Sequence, residues 1–294
     1  MTGRPQPGVF RYGTTAHLHL ELDLVPGRLP DLDALYALAG SSGADVSAVV
    51  GFGPSLARRV LPESCAPALD GFADFAPVGR PEGPIAPATQ HDLWVWLQAS
   101  DHGELVVAGR RVLTSLAGVA VLAEEVAGFA FRTDHDLFAF EDGTENPEYE
   151  AAPDVACIPA GVPGAGGSYG FVQRWVHDLD AFDALGVHGQ EQVIGRTRDG
   201  SVELEGDAQP LTSHVSRTAQ DDAGEDFAEI WRRSTPYGTT SEAGLLYVAF
   251  ASSPDLVLRQ LERMYGVSAD GVHDRIIEFS TAVTGANYFV PPLD

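Results

Sequence analysis

The chain has little cysteine, little positive charge and no long apolar run. Two cysteines, Cys65 and Cys157, occur in 294 residues outside any CxxC pattern, which argues against a disulfide framework and a cysteine-ligated zinc site. Lys and Arg number 18 against 42 Asp and Glu, giving a net charge of −24. Such a surface repels phosphate backbones and anionic lipids, so nucleic-acid and peripheral membrane roles are disfavoured. No stretch approaches the ~18 apolar residues of a membrane span.

The first residues also lack the pattern of a secretion signal. Residues 1–8 contain one arginine, no apolar segment follows it, and no twin-arginine pair is present. We therefore expect a cytoplasmic protein that binds neither nucleic acid nor membrane. Hydrophobic residues make up 44% of the chain and charged residues 20%, which is typical of a globular protein with a substantial core.

Hydrophobic periodicity predicts a strand first. Residues 17–24 alternate strictly, with leucine at every second position, which indicates a half-buried strand. His17 and His19 fall on its polar face, where we expect solvent. A pair of metal ligands is the alternative, but a third ligand is missing nearby.

The rest of the first half follows a recognisable order. We predict a helix over 30–38 that Gly40 closes, strands over 46–52 and 92–98, a helix over 104–126 and a closing strand over 128–132. The resulting β-α-β-(α)-β-α-β order is a ferredoxin-like pattern.

The second half repeats this order at the level of pattern. We predict strands over 168–175, 227–233, 245–250 and 287–290, and helices over 179–185 and 255–265. The expected fold is α+β, a duplicated ferredoxin-like fold with two antiparallel sheets and peripheral helices. Its domains would cover 1–133 and 134–294, and the turn-rich segment 134–167 begins the second.

Three segments of the second half carry candidate chemistry. The sequence FEDGTENP at 140–147 is by itself a pair of turns, and a calcium loop is disfavoured because its required sixth-position glycine is absent. His214 stands alone after Thr-Ser, and Arg232 and Ser234 end an apolar strand. The acidic segments 134–136 and 177–178 are interpreted as loops in which a metal role is disfavoured.

Six ordered signatures resemble the dye-decolourising peroxidase family, more narrowly its compact bacterial subgroup without a secretion signal. The first half resembles the family only in length and pattern. One departure is Ala139, which stands where the family's Gly-x-x-Asp-Gly signature has its first glycine, and alanine penalises a positive φ. The signatures are FEDGTENP (140–147), GSYGFVQRW (167–175), QEQVIGRT (190–197), SHVSR (213–217), RSTPYG (233–238) and VTGANYFVP (283–291).

The resemblance implies a peroxidase that binds one haem b, iron protoporphyrin IX, in the C-terminal domain. It would reduce hydrogen peroxide while oxidising small organic donors, such as dyes, phenolics and porphyrinogens, by one-electron steps. It also implies a homo-oligomer. The alternatives are a non-enzymatic haem carrier or sensor, or a haem-iron-releasing protein, on the same fold. A carrier has no use for Asp142 and Arg232 together, which favours the enzyme.

The resemblance also assigns roles to residues. His214 is the expected iron ligand, and Asp274 is our candidate acceptor for its second ring nitrogen. Asp142 is expected to shuttle a proton between the peroxide oxygens. Arg232 would supply permanent positive charge, and Ser234, two residues further along the strand, would return to the same side. Because a carboxylate moves the proton, we expect activity to be highest in mild acid.

Further expectations concern the walls of the pocket and the route of electrons. Arg196 is expected to contact a haem propionate, with a surface salt bridge as an equal alternative. Leu246 and Phe250 are expected to wall the pocket, although core residues would show the same pattern. Bulky dyes cannot enter such a pocket, so electrons would travel through aromatic side chains. The candidates, for which core packing is the main alternative, are Trp175, Tyr169, Trp231 and Tyr237.

Overall fold

The computed structural model describes residues 3–41, 45–219 and 229–293. Its strands are β1 (Ala16–Leu24), β2 (Val46–Phe52), β3 (Val78–Gly79), β4 (Ile85–Ala86), β5 (Leu93–Ala99), β6 (Ala120–Phe129), β7 (Ser168–His177), β8 (Trp231–Arg232), β9 (Thr235–Gly238), β10 (Ala243–Ala251), β11 (Ser280–Ala282) and β12 (Ala286–Val290). Its α-helices are α1 (Leu32–Ala39), α2 (Pro54–Val60), α3 (His102–Ser115), α4 (Ala152–Ala156), α5 (Leu179–Asp183), α6 (Gly186–Ile194), α7 (His214–Thr218) and α8 (Leu256–Met264). Short 3-10 turns connect several of these elements.

Eight antiparallel strands close into a barrel. Their hydrogen-bonded order is β7-β12-β2-β5-β1-β6-β9-β10, and β10 pairs back onto β7 from Gly244↔Val176 to Ala251↔Tyr169. Strands β11 and β8 extend this sheet beside β7 and β10, while β3 and β4 form a separate pair. Each half contributes four neighbouring strands in the order fourth-first-third-second, namely β6-β1-β5-β2 and β12-β7-β10-β9.

The α+β class is confirmed, but the expectation of two separate sheets is wrong. The halves meet at two seams, where Phe289 of β12 pairs with Phe52 of β2 and Gly128 of β6 pairs with Tyr237 of β9. At Gly128 a Cβ atom would lie 2.3 Å from Thr235 Cγ2, so the seam requires glycine. The edge strands of each half are paired with the other half because unpaired edges leave backbone groups unsatisfied.

One element boundary in the first half also differs from the prediction. The helix expected over 104–126 is α3, which ends at Ser115, and β6 already begins at Ala120. Gly118, at φ 72°, makes the turn between them. Residues 120–126 alternate in exposure as a strand does, so the apolar residues there fitted a helical period only by chance.

In the second half, the strand expected over 227–233 is only partly covered by the structure. Residues 227 and 228 lie outside the described ranges, and β8 covers Trp231–Arg232. The other elements expected there overlap observed ones, such as β10 at Ala243–Ala251 and α8 at Leu256–Met264.

The barrel interior is closed by large aromatic side chains. His17 and His19 point into it and are 7% and 2% exposed, so the expectation that they face solvent is wrong. The pattern misled because the barrel covers the polar face of β1 while helices cover its leucine face. His19 stacks on Trp94 and Trp96, whose indole N–H groups lie 3.4 Å and 3.3 Å from Nδ1 of His19 and His17 respectively.

Candidate active site

A cavity of about 460 Å³ opens on the outer face of the C-terminal half of the barrel. Strands β7 and β10 form its floor, and helices α6, α7 and α8 contribute to its other walls. This volume lies within the ~300–1,000 Å³ range usual for cofactor and ligand sites. The four polar residues predicted from sequence that line it are Asp142, Arg196, His214 and Arg232.

His214 begins α7 and is oriented by a buried carboxylate. Its Nδ1 lies 2.7 Å from Oδ2 of Asp274, a residue that is fully buried. The other oxygen of Asp274 accepts a hydrogen bond of 2.9 Å from the backbone N–H of Ile276, which fixes the carboxylate. An ionised carboxylate only accepts, so Nδ1 is the protonated nitrogen. Within the described residues Nε2 has no hydrogen-bond partner, and His214 lines the cavity.

A buried ion pair holds α7 in place. Arg217, which is fully buried, donates to both carboxylate oxygens of Asp270, at 2.7 Å and 3.0 Å. These bonds hold the pKa of Asp270 well below its ordinary value. Such two-point pairing restricts rotation as well as distance. A five-residue helix is too short to be stable alone, so this anchor positions His214. Arg217 ends the SHVSR signature, but no role was predicted for it from the sequence.

The Asp142 loop is attached directly to Arg232. The side-chain oxygen of Asn146 accepts the backbone N–H of Arg232 at 2.9 Å, and its amide nitrogen donates to the carbonyl of Arg232 at 2.9 Å. The backbone N–H of Asp142 donates to the carbonyl of Asp134 at 2.7 Å. These bonds bring Asp142 and Arg232 to one cavity. Ala139 in the same loop has φ 64°, a positive value that the glycine of the family signature would adopt easily. For alanine this conformation costs roughly 1–2 kcal/mol.

Asp136 is a cavity residue that sequence reasoning missed. Its Oδ1 accepts the backbone N–H of Phe140 at 3.2 Å. Burial, followed by the negative charge of Asp142, raises the pKa of Asp136 to about 7. The segment 134–136 was interpreted as an ordinary loop, because its sequence gives no sign that it folds back against Asp142.

The expected pocket walls lie on the other face of β10. Arg232 pairs directly with Ala249, and Trp231 pairs with Phe250, so Arg232 and Phe250 point to opposite faces of the sheet. Leu245 and Tyr247 line the cavity, whereas Leu246 and Phe250 pack in the barrel interior. The assignment of Leu246 and Phe250 to the pocket is therefore wrong. A shift of one residue along a strand moves a side chain to the other face, and the residues on the cavity face are Leu245 and Tyr247.

Ser234 does not line the cavity either. β8 ends at Arg232, so the alternation expected to return Ser234 to the cavity side does not continue. Its hydroxyl is buried without a hydrogen-bond partner among the described residues.

Arg196 and His177 also belong to the polar lining of the cavity. Arg196 Nη2 binds Glu145 and, at 3.1 Å, Glu203, so the salt-bridge alternative is present in the structure. Its Nε is buried and has no partner in the described part of the chain. His177 stacks on Phe138 with ring centroids 4.1 Å apart, and burial lowers its pKa to about 4, which keeps the imidazole neutral.

Two family descriptions match almost the whole chain. "Dyp-type peroxidase, N-terminal" matches residues 13–130, and "Dyp-type peroxidase, C-terminal" matches residues 133–294. The chain belongs to the Dyp-type peroxidase family. The resemblance recognised in the signatures is thereby confirmed.

Individual relatives agree with this assignment. The chain is 36% identical over 212 residues to the dye-decolorizing peroxidase of Rhodococcus erythropolis, a match that covers 71% of this chain and 62% of the relative. For Mycobacterium tuberculosis the identity is 35%, covering 71% and 63%. The matched region thus spans less than two thirds of these curated relatives.

Within the described residues no group of three His, Cys, Asp or Glu could hold a metal ion, and no helix is long and apolar enough to cross a membrane.

Solved structures match over the full length. A putative Dyp-type peroxidase from Shewanella oneidensis has a TM-score of 0.90 at 30% identity, covering all of this chain and 98% of the other. DyPB from Rhodococcus jostii RHA1 has a TM-score of 0.84 at 32% identity, covering 100% and 97%. Variants of the Rhodococcus protein were solved in complex with heme.

Proposed function

We propose that the protein is a haem b peroxidase whose cavity holds the haem and admits hydrogen peroxide. One observation carries the proposal: the His214–Asp274 pair, Asp142 and Arg232 meet at a single cavity. Membership of the Dyp-type peroxidase family and the heme complexes of a similar structure support it.

The lining of the cavity fits such a group. Gln173 is fully buried on the floor, and both polar atoms of its amide lack a partner in the described residues, as does Arg196 Nε. Buried polar atoms are normally satisfied, so unsatisfied ones along a cavity indicate a place for a ligand or ordered water. His214 would hold the iron through Nε2, and Arg196 would lie near a propionate.

The bound haem would supply the two-electron reduction of peroxide and the one-electron oxidation of donors. The chain supplies the rest. The carboxylate of Asp142 takes a proton from one peroxide oxygen and returns it to the other. The guanidinium of Arg232 stabilises negative charge as the O–O bond breaks. Asp274 accepts a hydrogen bond from Nδ1–H of His214, which raises the basicity of Nε2.

The rivals are a haem carrier or sensor and a protein that releases haem iron. A carrier would bind haem equally well but would leave Asp142 and Arg232 without a use, and their attachment through Asn146 argues against it. The test is to mix the haem-loaded protein with one equivalent of peroxide, then with a small phenol. We expect rapid reaction with peroxide and two phenols oxidised per peroxide. A carrier would react no faster than free haem, and an iron-releasing enzyme would lose its absorption bands.

The fold, the donors and the partners are proposed as well. The matching strand order of the two halves supports a duplicated ferredoxin-like fold, with a domain boundary near residue 133, where the two family matches meet. Dyes and phenolics are proposed as donors, with porphyrinogens as a further candidate. The net charge of −24 supports the exclusion of nucleic acid. Homo-oligomer formation, cytoplasmic location and the exclusion of a membrane partner stay predictions.

A further inference from the structure

Arg232 stands on a very short strand. β8 consists of Trp231 and Arg232, which pair with β10, and one further backbone bond joins the N–H of Arg233 to the carbonyl of Val248 at 2.8 Å. Strands usually have three to ten residues, so these few ladder bonds hold β8 only weakly. A guanidinium stabilises developing charge only when it is held in a fixed direction. The direction of Arg232 therefore depends on contacts beyond the ladder.

The side chains on either side of Arg232 bind the same backbone carbonyl. The indole N–H of Trp231 donates to the carbonyl oxygen of Val9 at 3.0 Å, and Nη1 of Arg233 donates to that oxygen at 2.9 Å. Trp231 packs in the barrel interior, where the guanidinium of Arg233 lies 5.3 Å from the ring centroid of Trp96. Arg232 between them lines the cavity outside the barrel. Two bonds to one carbonyl thus straddle Arg232.

The N-terminal segment that supplies this carbonyl, residues 6–11, is itself fixed to the barrel. The side chain of Gln6 accepts the backbone N–H of Val50 at 2.8 Å and donates to the carbonyl of Val50 at 2.9 Å. Gln98 donates to the carbonyl of Gly8 at 2.8 Å. A Cβ atom on Gly8 would lie 2.4 Å from a backbone oxygen of β2, so the segment lies directly against that strand. It is a rigid support rather than a loose terminus.

Arg233 is a cation that is poorly placed for stability. Its Nη2 donates to the carbonyl of Arg11 and, at 3.4 Å, to Oε1 of Gln98, and no carboxylate pairs with it in the described part of the chain. Burial lowers the pKa of Arg233 to about 10. A buried charge that binds only neutral groups contributes little net stability. Its planar fork can, however, bind two carbonyls at once, which fixes its position.

We propose that Arg233, assisted by Trp231, is a positioning residue that aims the guanidinium of Arg232 into the haem cavity, with residues 6–11 as the support for both. This inference rests on the proposed peroxidase function, which gives Arg232 its task. Asn146 holds the backbone of Arg232 from the side of the Asp142 loop. The N-terminal segment, 222 residues earlier in the chain, holds the neighbouring side chains from the side of the barrel.

The fluoride affinity of the haem-loaded protein tests this role without turnover. Fluoride binds on the open side of the iron, where a nearby guanidinium stabilises it, and a hydrogen bond to a charged group typically changes affinity by about tenfold or more. We expect Arg232→Leu and Arg233→Met each to weaken fluoride binding by about tenfold. Arg110→Met removes the same charge from an exposed position of α3 and is the matched control, which should bind fluoride as the wild type does.

Further variants separate positioning from the charge of Arg233 itself. Arg233→Lys keeps the positive charge but lacks the planar fork, so it should also weaken fluoride binding. Trp231→Phe keeps a buried ring and loses only the indole N–H, so a smaller loss is expected. Both variants answer the question if Arg233→Met does not fold. In an Arg232→Leu background, Arg233→Met should cause no further loss, because no guanidinium is left to position.

The reaction with peroxide supplies a second signature. Arg233→Met should slow the single-turnover reaction by the same factor at every pH, because Asp142, the proton carrier, is unchanged. Rates are compared per bound haem, so a variant that merely folds less well would bind less haem and still react at the wild-type rate.

The two levels of inference fail in different ways. If the wild type does not oxidise the small phenol, the proposed peroxidase function fails. If it oxidises the phenol normally, the positioning role is overturned by wild-type fluoride affinity in Arg233→Met and Arg233→Lys. It is also overturned if Arg233→Met causes an equal loss in the Arg232→Leu background, because Arg233 would then act through its own charge. Unchanged fluoride affinity in Arg232→Leu overturns it as well, since Arg233 would have no donor to aim.

Discussion

The two halves of the barrel share one strand order, yet their outer faces are filled in opposite ways. In the N-terminal half, Leu18, Leu20 and Leu22 of β1 are buried in an apolar core to which α1, α2 and α3 contribute. In the C-terminal half, the corresponding outer face is a cavity floor that carries Gln173 and Tyr247. The same topology therefore makes one sealed core and one open site.

The difference arises from the contacts between each outer face and the helices that cover it. Gly109 lets α3 approach β1 so closely that a Cβ atom there would lie 2.7 Å from Leu18 Cδ2. On the other side, α7 is held by the Arg217–Asp270 ion pair and the His214–Asp274 hydrogen bond rather than by apolar packing alone, which fixes His214 without filling the space beneath it. The candidate active site therefore lies in the half whose outer face is not filled by apolar side chains.

The largest expected effects concern the two charged residues of the open half. Arg232→Leu removes a permanent charge, so we expect the single-turnover reaction with peroxide to slow by ~10²–10³-fold at every pH.

Asp142→Asn removes the proton carrier, and we expect the rate of the same reaction to fall by ~10²–10⁴-fold, together with a flatter pH profile. Stopped-flow absorbance at several pH values, with haem content held equal, measures both.

These two variants have distinguishable failures. If Arg232→Leu reacts at the wild-type rate while Asp142→Asn is slow, the arginine is a structural residue. If neither reacts more slowly, the peroxidase proposal gives way to the haem carrier.

The sealed half predicts a stability effect with no effect on the site. Gly109→Val forces a side chain against Leu18, and overpacking of this kind typically costs about 1–3 kcal/mol. Urea unfolding of the haem-free protein measures it. Arg110→Val places the same β-branched residue at an exposed position of α3 and serves as the control. Equal stabilities of the two variants would contradict the close approach of α3.

A smaller effect is expected at Asp136, in the pH dependence of stability. Burial and the charge of Asp142 raise its pKa to about 7. A carboxyl whose pKa is raised by folding contributes stability below its unfolded pKa, and this is lost as pH rises through about 7. Asp136→Asn should therefore flatten the decline in unfolding free energy between about pH 4 and 7. The exposed Asp74→Asn is the control, and an unchanged decline in Asp136→Asn would refute the assignment.

Much of the site could be predicted from sequence because its residues stand in short signatures. His214, Asp142 and Arg232 line one cavity, and Asp274 lies against His214. Element order was also readable, since β1, β7 and α8 have clear periods. Such local patterns depend on few residues.

The predictions that were wrong concern features that depend on contacts between residues distant in sequence. Phe250 was assigned to the wrong face because alternation fixes two faces but not which one meets the cavity. His17 and Asp136 were misjudged because barrel closure and loop folding bury polar residues that the local sequence presents as solvated. Closure itself depends on pairings such as Phe289 with Phe52, which no local pattern contains.

Haem binding by His214 is the central claim, and its most direct measurement is a haem titration. The wild type should bind one haem per chain with the absorption spectrum of a histidine-ligated haem. His214→Gly should lose that spectrum, and added imidazole should restore it by occupying the vacated position. His188→Gly, which alters an exposed histidine on α6, is the control and should bind as the wild type does. A His214→Gly protein that keeps the wild-type spectrum and affinity without imidazole would contradict the account.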